Sequence, residues 1–83
     1  MRSQVHIVQT PSQLAPLLRA LRRQRGMTQQ DLASALGISR QAVTALEQRP
    51  EAATFERLMK VWAVLGVEVA LQDKGSAGTD TDW

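Results

Sequence analysis

The segment between residues 28 and 47 limits the fold more than any other part of the sequence, because it holds two short helical patterns separated by a glycine. Thr28 is a candidate N-cap of the first pattern, and Asp31 three residues later approximates a capping box. Gly37 ends this pattern, and Ser39 is a candidate N-cap of the second. The sequence therefore predicts two short helices joined by a tight turn.

Apolar residues at helical spacing predict a further helix on each side of this pair. The earlier helix is rich in leucine and stops at Gly26, while the later one opens at Thr54 and stops at Gly66. Two starts are open for the earlier helix: Ser12 could cap it, or Pro16, which lacks an N–H, could occupy the first helical position. We expect an all-α bundle of four or five helices.

Extended patterns flank the helices. Residues 4–9 alternate imperfectly between apolar and polar side chains, which predicts a short strand or an extended arm. Val67, Val69 and Leu71 lie on one face of a predicted C-terminal β-strand. Because a strand needs a partner for its backbone groups, this strand must pair with the arm or with its copy in a second subunit. We assign its apolar face to dimerisation.

Length and composition favour one domain and a homodimer. A chain of 83 residues is small, and domains near this size bury only about 60% of their unfolded surface. Residues 1–72 are predicted to form one folded domain, which includes the dimerisation segment. Residues 73–83 are rich in Gly, Ser, Thr and Asp, which predicts a disordered polar tail, although the last residue is Trp83.

The positive charge is unevenly distributed along the chain. Residues 1–72 contain nine Lys/Arg and five Asp/Glu, whereas residues 73–83 contain one Lys and three Asp. A basic body favours a polyanionic partner such as nucleic acid, because phosphate neutralisation releases counterions. The alternative is that these cations only solvate helix faces.

Several classes of function lack the residues that they need. The chain has no cysteine, and His6 is its only histidine, so we predict no metal site, no cofactor and no catalytic triad. A Gly-rich phosphate loop is also missing, and the chain is predicted not to be an enzyme. With no long apolar run and no signal-peptide pattern, we expect a soluble cytoplasmic protein.

The stretch TQQDLASALGISRQAVTALE, residues 28–47, resembles the helix-turn-helix of phage repressors and of the XRE family. The matching positions are Gln29, Leu32, Ala33, Gly37, Val43 and Glu47. The resemblance implies that the second helix enters the DNA major groove while the first crosses the phosphate backbone. It also implies a buried ion pair between Arg22 and Glu47.

Seven residues of this stretch are candidate DNA contacts. Those predicted to contact bases from the exposed front of the second helix are Arg40, Gln41, Thr44 and Ala45. Arg can pair with guanine and Gln with adenine, a Thr methyl can touch thymine, and Ala allows close approach. Those predicted to contact phosphate near helix N-termini are Thr28, Gln29 and Ser39. For Gln29 and Thr44, the alternative is a plain solvated side chain.

Along nearly its whole length the chain resembles HipB-type antitoxins. The resemblance rests on an arm that leads to TPSQLA, four helices, the strand VEVALQ, and a polar tail that closes on an acidic residue and Trp83. It implies a dimer with C-terminal strands paired across the two-fold axis, repression of its own operon, and binding of a HipA-type serine/threonine kinase toxin. Trp83 is the predicted toxin-binding residue, since Trp is favoured at interface hot spots.

The sequence thus predicts a repressor-like dimer on a palindromic operator, with half-sites about 34 Å apart. Two other functions remain open. One is a stand-alone repressor whose tail is inert. The other is an adaptor that uses its helix-turn-helix to bind protein, and this alternative predicts no steep dependence of DNA binding on salt.

Overall fold

The computed structural model describes residues 5–73. Within them, the α-helices are α1 (Leu14–Gln24), α2 (Gln29–Leu36), α3 (Arg40–Gln48) and α4 (Phe55–Leu65). A 3₁₀ turn precedes α1 at Pro11–Gln13, and another precedes α4 at Pro50–Ala52. The predicted all-α class is confirmed with four helices. No helix in this range is long and apolar enough to span a membrane.

The start of α1 differs from both alternatives that the sequence left open. Thr10 caps the preceding 3₁₀ turn, and the side chain of Gln13 accepts a hydrogen bond from the Thr10 N–H at 3.1 Å. Pro11 occupies the first position of this turn, where a missing N–H removes no bond. The α-helix then begins at Leu14, so Pro16 lies within its first turn, whose N–H groups have no intrahelical partner.

The predicted caps Thr28 and Ser39 and the predicted helix start at Thr54 are confirmed. Thr28 Oγ1 accepts the Asp31 N–H at 3.0 Å, and the Asp31 carboxylate accepts the Thr28 N–H at 2.9 Å. The backbone N–H of Thr28, helped by its side chain, holds the pKa of the Asp31 carboxyl below its usual value. Ser39 and Thr54 accept first-turn N–H groups of α3 and α4 at 3.1 and 3.0 Å. These bonds satisfy donors that a helix start leaves unpaired.

The turn between α2 and α3 depends on Gly37. Its φ of 72° lies in the left-handed region, where a Cβ is strained. The Ile38 N–H donates to the Ala33 carbonyl at 3.0 Å, which closes the end of α2. Ile38 also packs against the core, so the turn fixes the direction in which α3 leaves α2.

One apolar core joins all four helices. Its buried members are Leu18, Leu21, Leu32, Ala33, Val43, Leu46, Leu58, Val61 and Leu65. Arg25 adds a polar link between the ends of α1 and α4, since its Nε donates to the Leu65 carbonyl at 2.7 Å. With one face of each helix committed to this core, only the opposite faces are available for a partner.

The C-terminal strand is not formed within the described single chain. Val69 is 42% exposed and Leu71 is 98% exposed. Residues 5–9 are neither helix nor strand, and within the described range no backbone hydrogen bond joins them to residues 67–72. The prediction that the strand pairs with the N-terminal arm of the same chain is therefore wrong in this structure. The two segments line a groove and are not joined by backbone hydrogen bonds. Pairing with a second subunit stays a prediction.

Candidate nucleic-acid interface

Helix α3 has one buried side and one open side. The buried side carries Val43, Leu46 and Glu47. The open side carries the residues predicted to contact bases, Arg40, Gln41, Thr44 and Ala45. Residues one, four and five positions apart share an arc of a helix, so the fold places these four side chains together. Three of them are exposed, while Thr44 is half-buried.

The residues predicted to contact phosphate lie at the starts of α2 and α3. Thr28 and Ser39 are the exposed N-caps, and Gln29 is the half-buried first residue of α2. Each capping hydroxyl oxygen accepts a backbone N–H, which leaves the hydroxyl hydrogen free to donate to a phosphate oxygen. The positive ends of two helix dipoles lie at the same places and also favour an anion.

A buried ion pair fixes α3 against α1. The side chains of Arg22 and Glu47 are 8% and 3% exposed, and Arg22 Nε lies 2.6 Å from Glu47 Oε2. Arg22 Nη2 donates to Glu47 Oε1 at 3.3 Å, and Nη1 donates to the Met27 carbonyl at 2.8 Å. This geometry confirms the interhelical ion pair that the family resemblance implied. A two-point guanidinium–carboxylate contact is directional, so it sets the orientation of α3.

Gln29 connects this ion pair to the open side of α3. Its Nε2 donates to Glu47 Oε1 at 3.2 Å, and its Oε1 accepts the Thr44 hydroxyl at 2.9 Å. Gln29 was predicted to contact phosphate, and these two internal partners were not predicted. Its side chain has one amide hydrogen left to donate. The spacing of these residues in the sequence does not predict this link, because α2 and α3 are brought together only by the turn at Gly37.

A groove beside the open side of α3 was also not predicted. Its volume is about 330 Å³, and its lining includes Ala45, Arg49 and Arg57. Arg49 Nε lies 3.8 Å from a carboxylate oxygen of Glu51, and both side chains are largely exposed, so this pair holds the guanidinium only weakly. Arg49 and Arg57 are among the cations of the basic body, but the sequence did not single out either one as part of a DNA-binding surface. The helix start at Thr54 is the sequence feature that could have identified Arg57, because it places this residue in the first turn of α4.

The predicted dimerisation residues flank a second groove on another side of the molecule. Val67 is half-buried, whereas Val69 and Leu71 are exposed, and Leu17 and Trp62 form part of the same wall. An apolar wall open to water is typical of an interface. Trp83, the predicted toxin-binding residue, lies outside the described residues, as does the predicted disordered tail apart from its first residue.

The open side of α3 defines the class of this protein. Its Arg and Gln side chains are exposed to solvent. Next to this side, the capped starts of α2 and α3 can donate hydrogen bonds to phosphate. A helix of this kind, held by a second helix at a glycine turn, fits the DNA major groove. The chain is a DNA-binding helix-turn-helix protein.

The family is established by a match of most of the chain. The chain belongs to the helix-turn-helix family, whose profile matches residues 18–72. Antitoxin HipB of Escherichia coli strain K12 is 28% identical over 74 residues, which cover 89% of this chain and 84% of that protein. Antitoxin HipB of Escherichia coli O6:H1 is 27% identical over 73 residues, which cover 88% and 78%.

Solved structures of HipB have the same fold. HipB in a HipB–O1–O2 complex has a TM-score of 0.75 at 29% identity, covering 83% of this chain and 100% of that chain. HipB in a HipA–HipB–O2–O3 complex has a TM-score of 0.76 at 28% identity, covering 84% and 99%. The similarity thus extends well beyond the helix-turn-helix, and the predicted resemblance to HipB-type antitoxins is confirmed.

Proposed function

We propose that this protein is the antitoxin and autorepressor of a HipBA-type toxin–antitoxin pair. It binds a palindromic operator in its own operon as a homodimer, and it binds a HipA-like serine/threonine kinase toxin. The observation that carries this proposal is the solvent-facing set of base-reading side chains on α3, in a chain similar to HipB over most of its length. The proposed role places the protein on DNA in a bacterial cytoplasm and requires no cofactor.

Base recognition is assigned to the open side of α3. Arg40 donates two hydrogen bonds to guanine, and Gln41 pairs with adenine. Thr44 presents its methyl group to thymine. Ala45 is too short to hold the helix away from the groove floor. The exposure of Arg40, Gln41 and Ala45 supports the assignment.

Phosphate binding is assigned to both sides of this surface. The hydroxyl groups of Thr28 and Ser39 donate to phosphate oxygens, and Gln29 contributes its backbone N–H and its free amide hydrogen. In the groove next to Ala45, the guanidinium groups of Arg49 and Arg57 are two further phosphate-binding groups. Such contacts fix the register of the protein on DNA without reading its sequence.

Dimerisation is assigned to the C-terminal segment. Val67, Val69 and Leu71 would pair with the same residues of a second copy across a two-fold axis. The exposure of Val69 and Leu71 in the single chain supports this assignment, since pairing would bury both side chains and satisfy the unpaired backbone groups. The two copies of α3 would then enter successive major grooves about 34 Å apart.

A HipA-like kinase is the proposed protein partner, and Trp83 is its proposed anchor. Support for the partner comes from the similarity to HipB in a solved HipA–HipB–O2–O3 complex. Support for Trp83 comes from its chemistry, because a large aromatic side chain in a polar segment gains much contact area when a partner buries it.

Operator binding is tested by fluorescence anisotropy of the full chain with the DNA upstream of its own gene. The control is DNA of equal length and composition in shuffled order. We expect at least about 10³-fold preference for the upstream DNA, with an affinity that falls steeply as salt rises. Equal affinity for both DNAs would disprove sequence-specific binding, and a flat salt response would favour the adaptor.

Toxin binding is tested by calorimetry with the kinase-like product of the neighbouring gene. We compare the wild type with Trp83→Ala and with Lys74→Ala, a control in the same tail. We expect tight binding that Trp83→Ala weakens by tenfold or more and Lys74→Ala leaves within about threefold. If the protein binds its operator but not the kinase, the stand-alone repressor is the correct function.

A further inference from the structure

The hydroxyl group of Thr44 is occupied inside the protein. Its Oγ1 lies 2.9 Å from Gln29 Oε1 and 3.2 Å from the backbone carbonyl oxygen of Arg40. Both of these atoms can only accept a hydrogen bond, and a hydroxyl has a single hydrogen. The Thr44 hydrogen is therefore directed toward the protein and away from the open side of α3.

The orientation of the Gln29 amide follows from the ion pair behind it. Glu47 accepts hydrogen bonds from Arg22 through both of its oxygens, and its carboxylate has no hydrogen to donate. The atom of Gln29 that lies 3.2 Å from Glu47 Oε1 must then be the donor Nε2. The amide oxygen consequently faces Thr44, so the buried pair sets the direction of a hydrogen bond at the surface.

We propose that this chain of hydrogen bonds, from Arg22 through Glu47 and Gln29 to Thr44, makes Thr44 a specificity-determining residue with a fixed polarity. Toward DNA it presents a methyl group and acceptor lone pairs but no donor. Gln29 is the positioning residue that enforces this state. The inference rests on the proposed operator binding and deepens it by naming which base the site excludes.

The base code of the major groove gives the consequence. Thymine offers a methyl group beside its O4 acceptor, and adenine and cytosine offer amino donors, whereas guanine offers only the acceptors N7 and O6. A Thr hydroxyl that was free to rotate would donate to guanine, but this one cannot. Thymine gains a contact between methyl groups, whereas guanine opposite Thr44 gains neither that contact nor a donor for its acceptors, so guanine is disfavoured by about tenfold or more relative to thymine.

The test is a competition-binding selection on operators in which every position carries each of the four bases. The key variant is Gln29→Met, which removes the nearer of the two acceptors of the Thr44 hydroxyl and leaves only the longer contact to the Arg40 carbonyl, while keeping a side chain of similar length. We expect the discrimination against guanine to fall to about threefold or less at one operator position only. Gln30→Met is the matched control, since Gln30 is exposed on α2 and, among residues 5–73, its side chain bonds only to Ser34.

Variants of Thr44 test whether the effect of Gln29→Met depends on the Thr44 hydroxyl. Thr44→Val keeps a methyl group and has no hydroxyl, so it is expected to retain the discrimination against guanine. Adding Gln29→Met to Thr44→Val is then expected to leave the base preference at this position unchanged, because no hydroxyl remains to be redirected; the loss of the Gln29 phosphate contact lowers the affinity equally for all four bases. Thr44→Ser keeps the hydroxyl, and it is expected to lose the preference for thymine while still excluding guanine.

The outcomes separate this inference from the proposed function. If the wild type prefers particular bases elsewhere in the operator but accepts guanine opposite Thr44, the inference is wrong and operator binding stands. If Gln29→Met lowers the discrimination against guanine equally in the wild-type background and in the Thr44→Val background, the effect does not pass through the hydroxyl and the inference is also wrong. If the wild type has no base preference at any position, the proposed function fails and the inference fails with it.

Discussion

At the scale of single residues, Glu47 is the side chain whose loss is expected to cost most stability. It neutralises Arg22 in the core and also accepts from Gln29. Removing one member of a buried ion pair leaves an unpaired charge, which costs about 3–5 kcal/mol. We expect Glu47→Ala to lower the free energy of unfolding by that amount in urea titrations. The double variant Arg22→Met with Glu47→Leu should be far less destabilised, and equal losses for both proteins would contradict this explanation.

Gln41 differs from Glu47 because its proposed role is in DNA recognition and its side chain is not part of the core. Its side chain is exposed, so Gln41→Ala is expected to leave the urea midpoint unchanged. Loss of a bidentate contact to adenine should cost about 1–3 kcal/mol of operator binding and relax one operator position. Gln48→Ala, an exposed change later on α3, is the control. An equal loss of affinity on every DNA sequence would instead indicate a phosphate contact.

At the scale of secondary-structure elements, Gly37 decides the geometry of the helix-turn-helix. A Cβ at this position would meet no atom within 4 Å, so the cost of a side chain comes from the backbone alone. At a φ of 72°, that cost for alanine is about 1–2 kcal/mol. We expect this loss for Gly37→Ala in thermal or urea unfolding and a smaller loss for Gly37→Asn, because Asn tolerates the left-handed region. Equal losses for the two variants would mean that packing, not backbone strain, is responsible.

The capping box of α2 predicts a dependence of stability on pH. The lowered pKa of Asp31 arises from the bonds with Thr28, so the charged carboxylate favours the folded state. Its contribution is complete above the usual pKa of the carboxyl, near 3.8, and is lost as the pH falls through the lowered value. Asp31→Asn should therefore flatten the acid side of the curve of urea midpoint against pH. An unchanged curve would show that the exposed carboxylate contributes nothing measurable.

At the scale of the whole molecule, the main expectation concerns the assembly of two chains. Leu71 is almost fully exposed in the single chain, although it belongs to an apolar face. If pairing buries it, Leu71→Asp should raise the dimer dissociation constant at least about tenfold, because a buried unpaired charge is costly. Sedimentation equilibrium measures this constant, and Gln72→Asp on the neighbouring position is the control. A dimer that tolerates both changes would place the interface elsewhere.

Local hydrogen bonds were determined by the sequence itself. The caps Thr28, Ser39 and Thr54 bond to groups only a few residues away, so they need no information about the rest of the fold. The same holds for the glycine stop at Gly37, since its backbone preference is a property of the residue. The family resemblance added the ion pair between Arg22 and Glu47, which spacing alone would not have identified.

Other features were decided only by tertiary structure, because they depend on the angles at which helices meet. The bond between Gln29 and Thr44 joins residues 15 positions apart, and it exists only because the turn sets α3 across the start of α2. Arg57 joins the candidate DNA surface only because α4 begins beside α3. The C-terminal segment makes the same point, since its alternation specifies a strand face but the pairing of its backbone groups needs a partner that a single chain does not supply.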